Sequence, residues 1–273
     1  MLLHELQRRP MTDRTLNPFV LANTRHGTLI LSTVDHSPAP DGRTMMGVGL
    51  RLLIQGSLDE NEIGLGKVLL DWRRQSHGDG CVVLDGGANI GVMTVEWAQH
   101  MRDWGSVIAV EMQRRVFYAL AGNIAIHNCF NAEARQIALG DRDAEIDVPM
   151  VDYTRPASIG SVGLKWAADV GQEPSASERV SLRRIDSFGL PRLDLLKLDV
   201  EGAEVEVLKG ASDTLLRCRP YIMAERMKSA DLEAHLAGLG YRVAPNEKNL
   251  LAMPADDPNW ARIRVRQSGA AAP

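Results

Sequence analysis

The chain has 273 residues, 45% of them apolar and 24% charged, enough for one large α/β domain or a domain with an N-terminal annex. A net charge of −4 gives no basic footprint for duplex nucleic acid. The three cysteines, Cys81, Cys129 and Cys218, are too scattered for a disulfide framework or metal pattern and fit a reducing cytoplasm, and no signal-peptide core or apolar run near the ~18 residues of a membrane span is present.

Residues 1–20 are mixed and polar, with Pro10 and Pro18, and predict a loosely held extension with one short helix near Leu2–Arg9. Thr28–Thr33 is a β-rich run and predicts a strand of an N-terminal ribbon. Residues 35–44 carry two prolines and a glycine and read as a loop. Gly49–Ile54 is expected to be another short strand. A helix is expected from Asp59, with Ile63, Leu65, Val68, Leu69 and Trp72 on its apolar face. The acids Asp59, Glu60 and Glu62 at its start suit the positive end of the helix dipole. His77-Gly78-Asp79-Gly80 ends it.

The central stretch is residues 81–91. Cys81 to Leu84 read as a short buried strand that ends on Asp85. Gly86 and Gly87 make a turn, and Gly91 heads a new helix through Val92, Val95, Trp97 and Ala98. The spacing Asp85-x-Gly87-x-x-x-Gly91 is not the G-x-G-x-x-G of dinucleotide folds. Strand, glycine turn and helix start in this order mark a ligand-docking edge in a doubly wound sheet. A carboxylate at the strand end suits a ligand bearing an ammonium group better than one bearing pyrophosphate. S-adenosylmethionine (SAM) is such a ligand, with Asp85 facing its amino group directly or through water. A plain strand-to-helix turn is the competing reading.

Val107–Val110 is the second strand and ends on Glu111. That acid lies about 20 residues past the glycine turn, where α/β folds hydrogen-bond ribose hydroxyls. A helix over 114–127 follows, burying Val116, Leu120, Ile124 and His127. Asn123 inside it is unfavourable unless its amide finds a partner. Ala134–Leu139 is expected to be the third strand, with an adenine ring against the loop beyond it. Residues 144–182 are the least regular part, with strands at Ile146–Val151 and Val180–Leu182. Between them, residues 152–178 read as a lid or part of an acceptor pocket. Leu193–Leu198 is the fourth core strand, and its alternation sends Asp199 and Glu201 to one side. One helix is expected from Ala203 to Arg217, stopped by Pro220. Tyr221–Ala224 is a fifth strand ending on Glu225. A helix over Ala230–Leu239 and strands near Tyr241–Val243 and Leu250–Met253 complete the chain.

Four strands thus end on acids: Asp85, Glu111, Asp199 and Glu225. Alternation of strands and helices brings those ends to one sheet edge and makes a negative cleft suited to a cationic ligand. Helix capping accounts for one or two of these acids.

The sequence resembles the FkbM family of SAM-dependent methyltransferases. The resemblance rests on Val83-Leu84-Asp85-Gly86-Gly87-Ala88-Asn89-Ile90-Gly91, on Ala109-Val110-Glu111 with Asn123 beyond it, and on Leu196-Lys197-Leu198-Asp199-Val200-Glu201-Gly202-Ala203-Glu204. Ser158-Ile159-Gly160-Ser161 looks like a degenerate glycine-containing block. The similarity covers roughly residues 26–226. Met112 departs from it, standing where proline commonly follows the acid. The resemblance implies a Rossmann-like α/β methyltransferase fold, a mostly parallel doubly wound sheet, and O-methylation of small molecules or sugars. Residues 1–78 are then an extension and small β/α annex, 79–265 the SAM-binding domain, and 266–273 a disordered tail. Asp85, Gly87, Ala88, Asn89, Gly91, Glu111, Met112, Ala138, Leu139 and Asp199 are expected to hold SAM.

Methyl transfer needs alignment of acceptor, methyl and sulfur and exclusion of water. A hydroxyl acceptor also benefits from a base. Asp199, Glu201 and Glu225 are the candidate catalytic carboxylates, with Asp199 or Glu201 first. His127 and His77 are weaker candidates. The three acids are suited to magnesium, but no spacing demands a metal and none is expected. A nicotinamide-dependent reductase is disfavoured by the missing G-x-G-x-x-G. An N-methyltransferase and a non-catalytic SAM-binding protein stay open. The expected partner is a small-molecule acceptor, in the cytoplasm, with no nucleic acid and no membrane.

Overall fold

The ribbon expected at the N-terminus is β1 (Phe19–Thr24) paired antiparallel with β2 (Gly27–Ser32). The computed structural model describes residues 18–38, 45–165, 170–225, 230–245 and 249–263. The helix expected near Leu2–Arg9 and the tail 266–273 lie outside them. Phe19 and Val20, expected in a loose extension, belong to β1. A small bridge of β3 (Ser37–Pro38) and β4 (Met45–Met46) precedes α1 (Val48–Gln55) and α2 (Glu60–His77).

The remaining strands and helices are β5 (Cys81–Gly86), α3 (Val92–His100), β6 (Gly105–Val110), α4 (Arg114–Ile126), β7 (Ala132–Arg135), β8 (Ala138–Leu139), β9 (Ala144–Met150), β10 (Ala176–Arg183), β11 (Leu195–Leu198), α5 (Glu204–Lys209), α6 (Ser212–Cys218), β12 (Tyr221–Glu225), α7 (Ala230–Gly238), β13 (Tyr241–Pro245) and β14 (Asn249–Pro254). Seven strands form one sheet in the order β13-β14-β12-β11-β5-β6-β7. The run from β12 through β7 is parallel, and β14 pairs antiparallel with both β12 and β13. The chain winds outward from β5 to β7, then returns to β11 on the other side of β5. The switch in strand order therefore lies between β5 and β11, where open α/β sheets bind ligands at the carboxyl ends of their strands.

Period-2 alternation decides which helices cover which face. Val83 and Leu195 pack with Leu69 and Leu70 of α2 and Val95 and Trp97 of α3. Their neighbours Leu84 and Leu196 pack with Val207, Leu215, Leu232 and Leu236 of α5, α6 and α7. Burial on both faces explains why these strands read as unbroken apolar runs. A third core joins Leu29 and Leu31 of β2 to Leu52 of α1, Ile90, Val116 of α4 and Ile159.

Asn123 ties this third core to the glycine turn. It is fully buried, accepts from Ile30 N at 2.6 Å, and donates to Ile30 O at 3.1 Å and Ile90 O at 2.8 Å. The unfavourable mid-helix amide thus has partners for both ends. Asn123→Leu should cost about 3 kcal/mol, since the buried Ile90 carbonyl and the half-buried carbonyl and amide of Ile30 lose their partner. Urea unfolding measures this; a loss below about 1 kcal/mol would mean that water replaces the amide.

Several expected elements differ. Gly49–Ile54 is not a strand but part of α1. A short apolar run carries no period that separates the two, and here Asp35 decides by accepting from Gly49 N at 2.9 Å, fixing the helix start. The third strand splits into β7, in the main sheet, and β8, which joins β10 and β9 in a separate three-stranded sheet. The single helix over 203–217 is broken into α5 and α6. Gly210 O accepts from Asp186 N at 3.0 Å there, turning that carbonyl away from the helix ladder.

Residues 157–162, within the segment read as a lid or part of an acceptor pocket, are built into the wall. Ala157, Ser158, Ile159, Ser161 and Val162 are buried. Ala157 N donates to Val34 O, Ser158 N to Val170 O, and Ile159 N to Asp35 Oδ1 at 2.9 Å. Buried backbone satisfied in this way has no need to order on binding. No helix among the described residues is long and apolar enough to cross a membrane.

Candidate active site

One cleft of about 140 Å³ opens at the carboxyl ends of β5, β6 and β11. Gly87, Ala88, Asn89, Glu111, Met112, Ala138, Leu139, Asp199 and Glu201 all line it. Gly91 and Asp85 do not. Gly91 begins α3 at φ 86° behind the turn. Asp85 is fully buried beneath the wall. Its Oδ2 accepts from Thr94 Oγ1 at 2.6 Å, and its Oδ1 lies 3.3 Å from Lys197 Nζ, an ion pair without hydrogen-bond alignment. The expectation that Asp85 faces a ligand directly is therefore corrected: a lysine stands between.

The turn after β5 is shaped by its backbone. Gly87 has φ +72°, and a Cβ there would overlap the Asp199 carbonyl oxygen. Only glycine lets the two strand ends meet this closely. Asn89 follows at φ +51°; its side-chain Oδ1 accepts from Ile90 N at 2.7 Å, a local bond that suits Asn to this conformation.

Glu111 is buried, and each carboxylate oxygen takes one amide: Oε2 from Asn89 N at 3.1 Å, Oε1 from Gln113 N at 2.8 Å. Burial pushes its carboxyl up to about 7, helped by the charge of Asp85 and opposed by those amides and Lys197. Gln113 donates to Ile159 O at 2.9 Å and accepts from Tyr153 Oη at 2.9 Å, so the wall segment and the Glu111 loop are pinned together.

Across the cleft, the loop after β11 carries Asp199 and Glu201. Asp199 N donates to Gly86 O at 3.0 Å. Asp199 and Glu201 do come to one side, but by a turn rather than strand alternation: β11 has ended, and Glu201 sits at φ +50° and Gly202 at φ +92°. Glu204, buried at 1% exposure, accepts from Val200 N at 3.1 Å and Gly202 N at 3.4 Å and so holds the turn. Burial raises its carboxyl above the usual range.

Glu225, half-buried at the end of β12, lies in a smaller adjoining recess with Glu62, Lys197, Asp199 and Asn249. Burial pushes its carboxyl up to about 7, with Asp199 and Glu204 adding to the effect and Lys197 opposing it. One oxygen each of Asp199, Glu201 and Glu225 lies within 4.8 Å of the others, so these three could share a divalent cation. Of the acids at the start of α2, Asp59 stands at the N-cap position without a side-chain capping bond, lines the cleft with Asp199 and Glu201, and pairs with Arg51 at 3.0 Å.

Sequence reasoning misses Lys197. It stands on β11 in register with Asp85, is 8% exposed, and lines both cavities. Its Nζ donates to Gly87 O at 2.8 Å and lies 3.7 Å from Asp199 Oδ2. Burial opposes its charge, but Asp85 and Asp199 outweigh that and raise its pKa. A lone lysine between leucines in a buried strand is the signal that could have found it. His77, at the end of α2, and His127, which hydrogen-bonds Asn123 O at 2.8 Å, do not line the cleft.

A mostly parallel doubly wound sheet with a glycine turn at its switch point and acids on either side of a cleft defines an α/β protein of the Rossmann-like class. The matched region narrows the class: residues 85–243 match the methyltransferase FkbM domain, and the chain belongs to this methyltransferase family. It is 27% identical over 154 residues to "Methyltransferase 1" of Beauveria bassiana, an alignment covering 50% of this chain and 60% of that protein. The chain thus spans less than two thirds of that relative's length. Among solved structures, it is similar to an FkbM methyltransferase of Methylobacillus flagellatus at 16% identity and a TM-score of 0.47, covering 64% of this chain and 44% of the other. A precorrin-6y C5,15-methyltransferase of Geobacter metallireducens matches at 13% identity and a TM-score of 0.42, covering 72% and 88%.

Proposed function

We propose that the cleft binds SAM and that the chain methylates a hydroxyl group of a small molecule. The observation that carries this reading is the facing of Glu111 and Asp199 across the Gly87 turn, in one cleft at the switch point. The residues fit such a donor. Ile137, Ala138 and Leu139 offer an apolar wall for a flat ring, the backbone of the Gly87 turn borders the cleft, and the acids outnumber the one lysine in the lining. When bound, SAM supplies a methyl group already activated on sulfur. The chain has to hold, orient and shield. Glu111 accepts hydrogen bonds from ribose hydroxyls, and Met112, Ala138 and Leu139 exclude water from the ring. Asp199 and Glu201 orient the acceptor, and a carboxylate of the Asp199, Glu201 and Glu225 group takes the hydroxyl proton.

Titration calorimetry with SAM, then a mass-shift screen of hydroxylated and aminated acceptors with labelled SAM, tests the reading. Binding with transfer to a hydroxyl is expected. Transfer only to amines would make the protein an N-methyltransferase, and binding without transfer to any acceptor would leave a SAM-binding protein. No binding would overturn the proposal.

Glu111→Gln should weaken SAM binding by about 1.5–3 kcal/mol, the range for a hydrogen bond to a charged group. The wild type carries a pH signature as well. Its Glu111 carboxyl is protonated below about 7 and accepts fewer bonds in that form. Affinity should therefore rise severalfold from about pH 6 to about pH 7.5. In Glu111→Gln most of that rise should disappear. An unchanged profile would remove Glu111 from the donor site.

A further inference from the structure

Lys197 is more than a strut between strands. Its ammonium sits where the donor half of the cleft, the Gly87 turn, meets the acid half, Asp199 to Glu201. A group passed from one half to the other passes beside it. Its nearer counterion is not in the cleft: Asp85 is fully buried behind it, with Thr94 on its other oxygen. The cleft therefore reaches Asp85 only through the cation, while Asp199, the farther acid on the same ammonium, lines the cleft itself.

We propose that Lys197 sets the preference of this cleft between a cationic methyl donor and its neutral product, with Asp85 as the buried counterion that tunes it. The proposal rests on the reading of the cleft as a SAM site. Methyl transfer turns a sulfonium into a neutral thioether: the sulfur–methyl bond breaks with its electron pair left on sulfur, the acceptor oxygen bonds the methyl, and the hydroxyl proton goes to a carboxylate. A fixed ammonium close by disfavours the sulfonium and is indifferent to the thioether. It thereby favours every state in which the positive charge on sulfur is fading, the transition state included. Asp199, 3.7 Å from the same ammonium, acts in the opposite sense, so the pair leaves the donor bound without holding it too firmly. A lysine serving only to join β5 to β11 would affect donor and product alike.

The ratio of SAM to S-adenosylhomocysteine affinity is the readout, measured by calorimetry at one pH and ionic strength. Asp85→Asn keeps the shape and an acceptor for Thr94, never touches the cleft, and removes the counterion. The ratio should shift toward S-adenosylhomocysteine by about tenfold, the scale of one less-neutralised unit charge acting across several ångströms of protein. Adding Lys197→Met to that variant removes the nearer charge, and the ratio should reverse and move to the SAM side of wild type. The double variant removes the buried Asp85–Lys197 pair as a unit, so it carries the test if the single one does not fold. Equal weakening of both ligands, an unmoved ratio, or a double variant that fails to reverse the shift would each overturn the role of Lys197. Failure of the wild type to bind either ligand would instead overturn the reading of the cleft, and this proposal with it.

Discussion

Gly87→Ala is expected to lower stability by about 3 kcal/mol and to abolish measurable donor binding. Two effects add. The residue sits at φ +72°, where an L side chain is disfavoured by about 1–2 kcal/mol. Its new Cβ would also overlap the Asp199 carbonyl oxygen, and backbone cannot rotate away as a side chain can. The strand ends must separate, moving Asp199 and the Lys197 contact on Gly87 O together. Gly56, just past the end of α1, provides the control. It has nearly the same φ, +69°, with nothing within 4 Å of an added Cβ, so Gly56→Ala should show the dihedral cost alone. Thermal melts of both variants, with SAM titrations, check this. A domain of this size moves by roughly 2–4 °C per kcal/mol, so Gly87→Ala should melt roughly 10 °C below wild type. If it melts no lower than Gly56→Ala, the close approach of the two strand ends is not a constraint on the fold.

The parts of the site that are legible in the sequence are those specified by neighbours along the chain. Asp85, Gly87, Glu111, Asp199 and Glu225 follow short apolar runs, and a run ending on an acid before a helix needs no tertiary information to be recognised. Lys197 is different. Its side chain matters because β11 pairs with β5 in a register that sets it opposite Asp85, and register between strands so far apart is not written in either one. The same holds for Asp85: the acid is visible in the sequence and its partner is not, so local reasoning assigns a ligand contact to a group that lies sealed. Asn123 stands out as a mid-helix amide in need of a partner, and the partner is the backbone of Ile30, distant in sequence. Within 152–178, polarity and glycine content do not separate a lid from a wall of the pocket: at Ala157, Ser158 and Ile159 the backbone is strapped down by hydrogen bonds. Composition reports what a segment can expose, not what it is tied to.

The largest kinetic effect is expected from Glu225→Gln, with single-turnover methyl transfer falling by roughly 10²–10⁴-fold at saturating SAM. Sequence alone puts Asp199 or Glu201 first as the base. The geometry moves the choice along the cluster. Asp199 is exposed and has Lys197 beside it, which suits it to hold an acceptor hydroxyl rather than to bind its proton. Glu201 rides on a turn fixed by Glu204, and its backbone is what the wall segment packs against, since a Cβ at Gly163 would meet the Glu201 carbonyl oxygen. Glu225 is half-buried, shares the recess with Asp199, and is pushed up to about 7 by burial and by the acids around it. A base works best with its pKa near the operating pH. The sign follows: the carboxylate form accepts the proton, so the wild-type rate should climb with pH through about 7 and level above it. In Glu225→Gln that limb should vanish along with most of the rate, while SAM affinity stays within about twofold, because the change lies on the acceptor side. Asp199→Asn should instead raise KM for the acceptor more than it lowers kcat, and Glu201→Gln should lower the melting temperature if its main service is to the turn. Glu225→Gln turning over at the wild-type rate, with the pH limb intact, would end its candidacy as the base. Asp199→Asn and Glu201→Gln, measured for the same limb, would then show which carboxylate carries the proton.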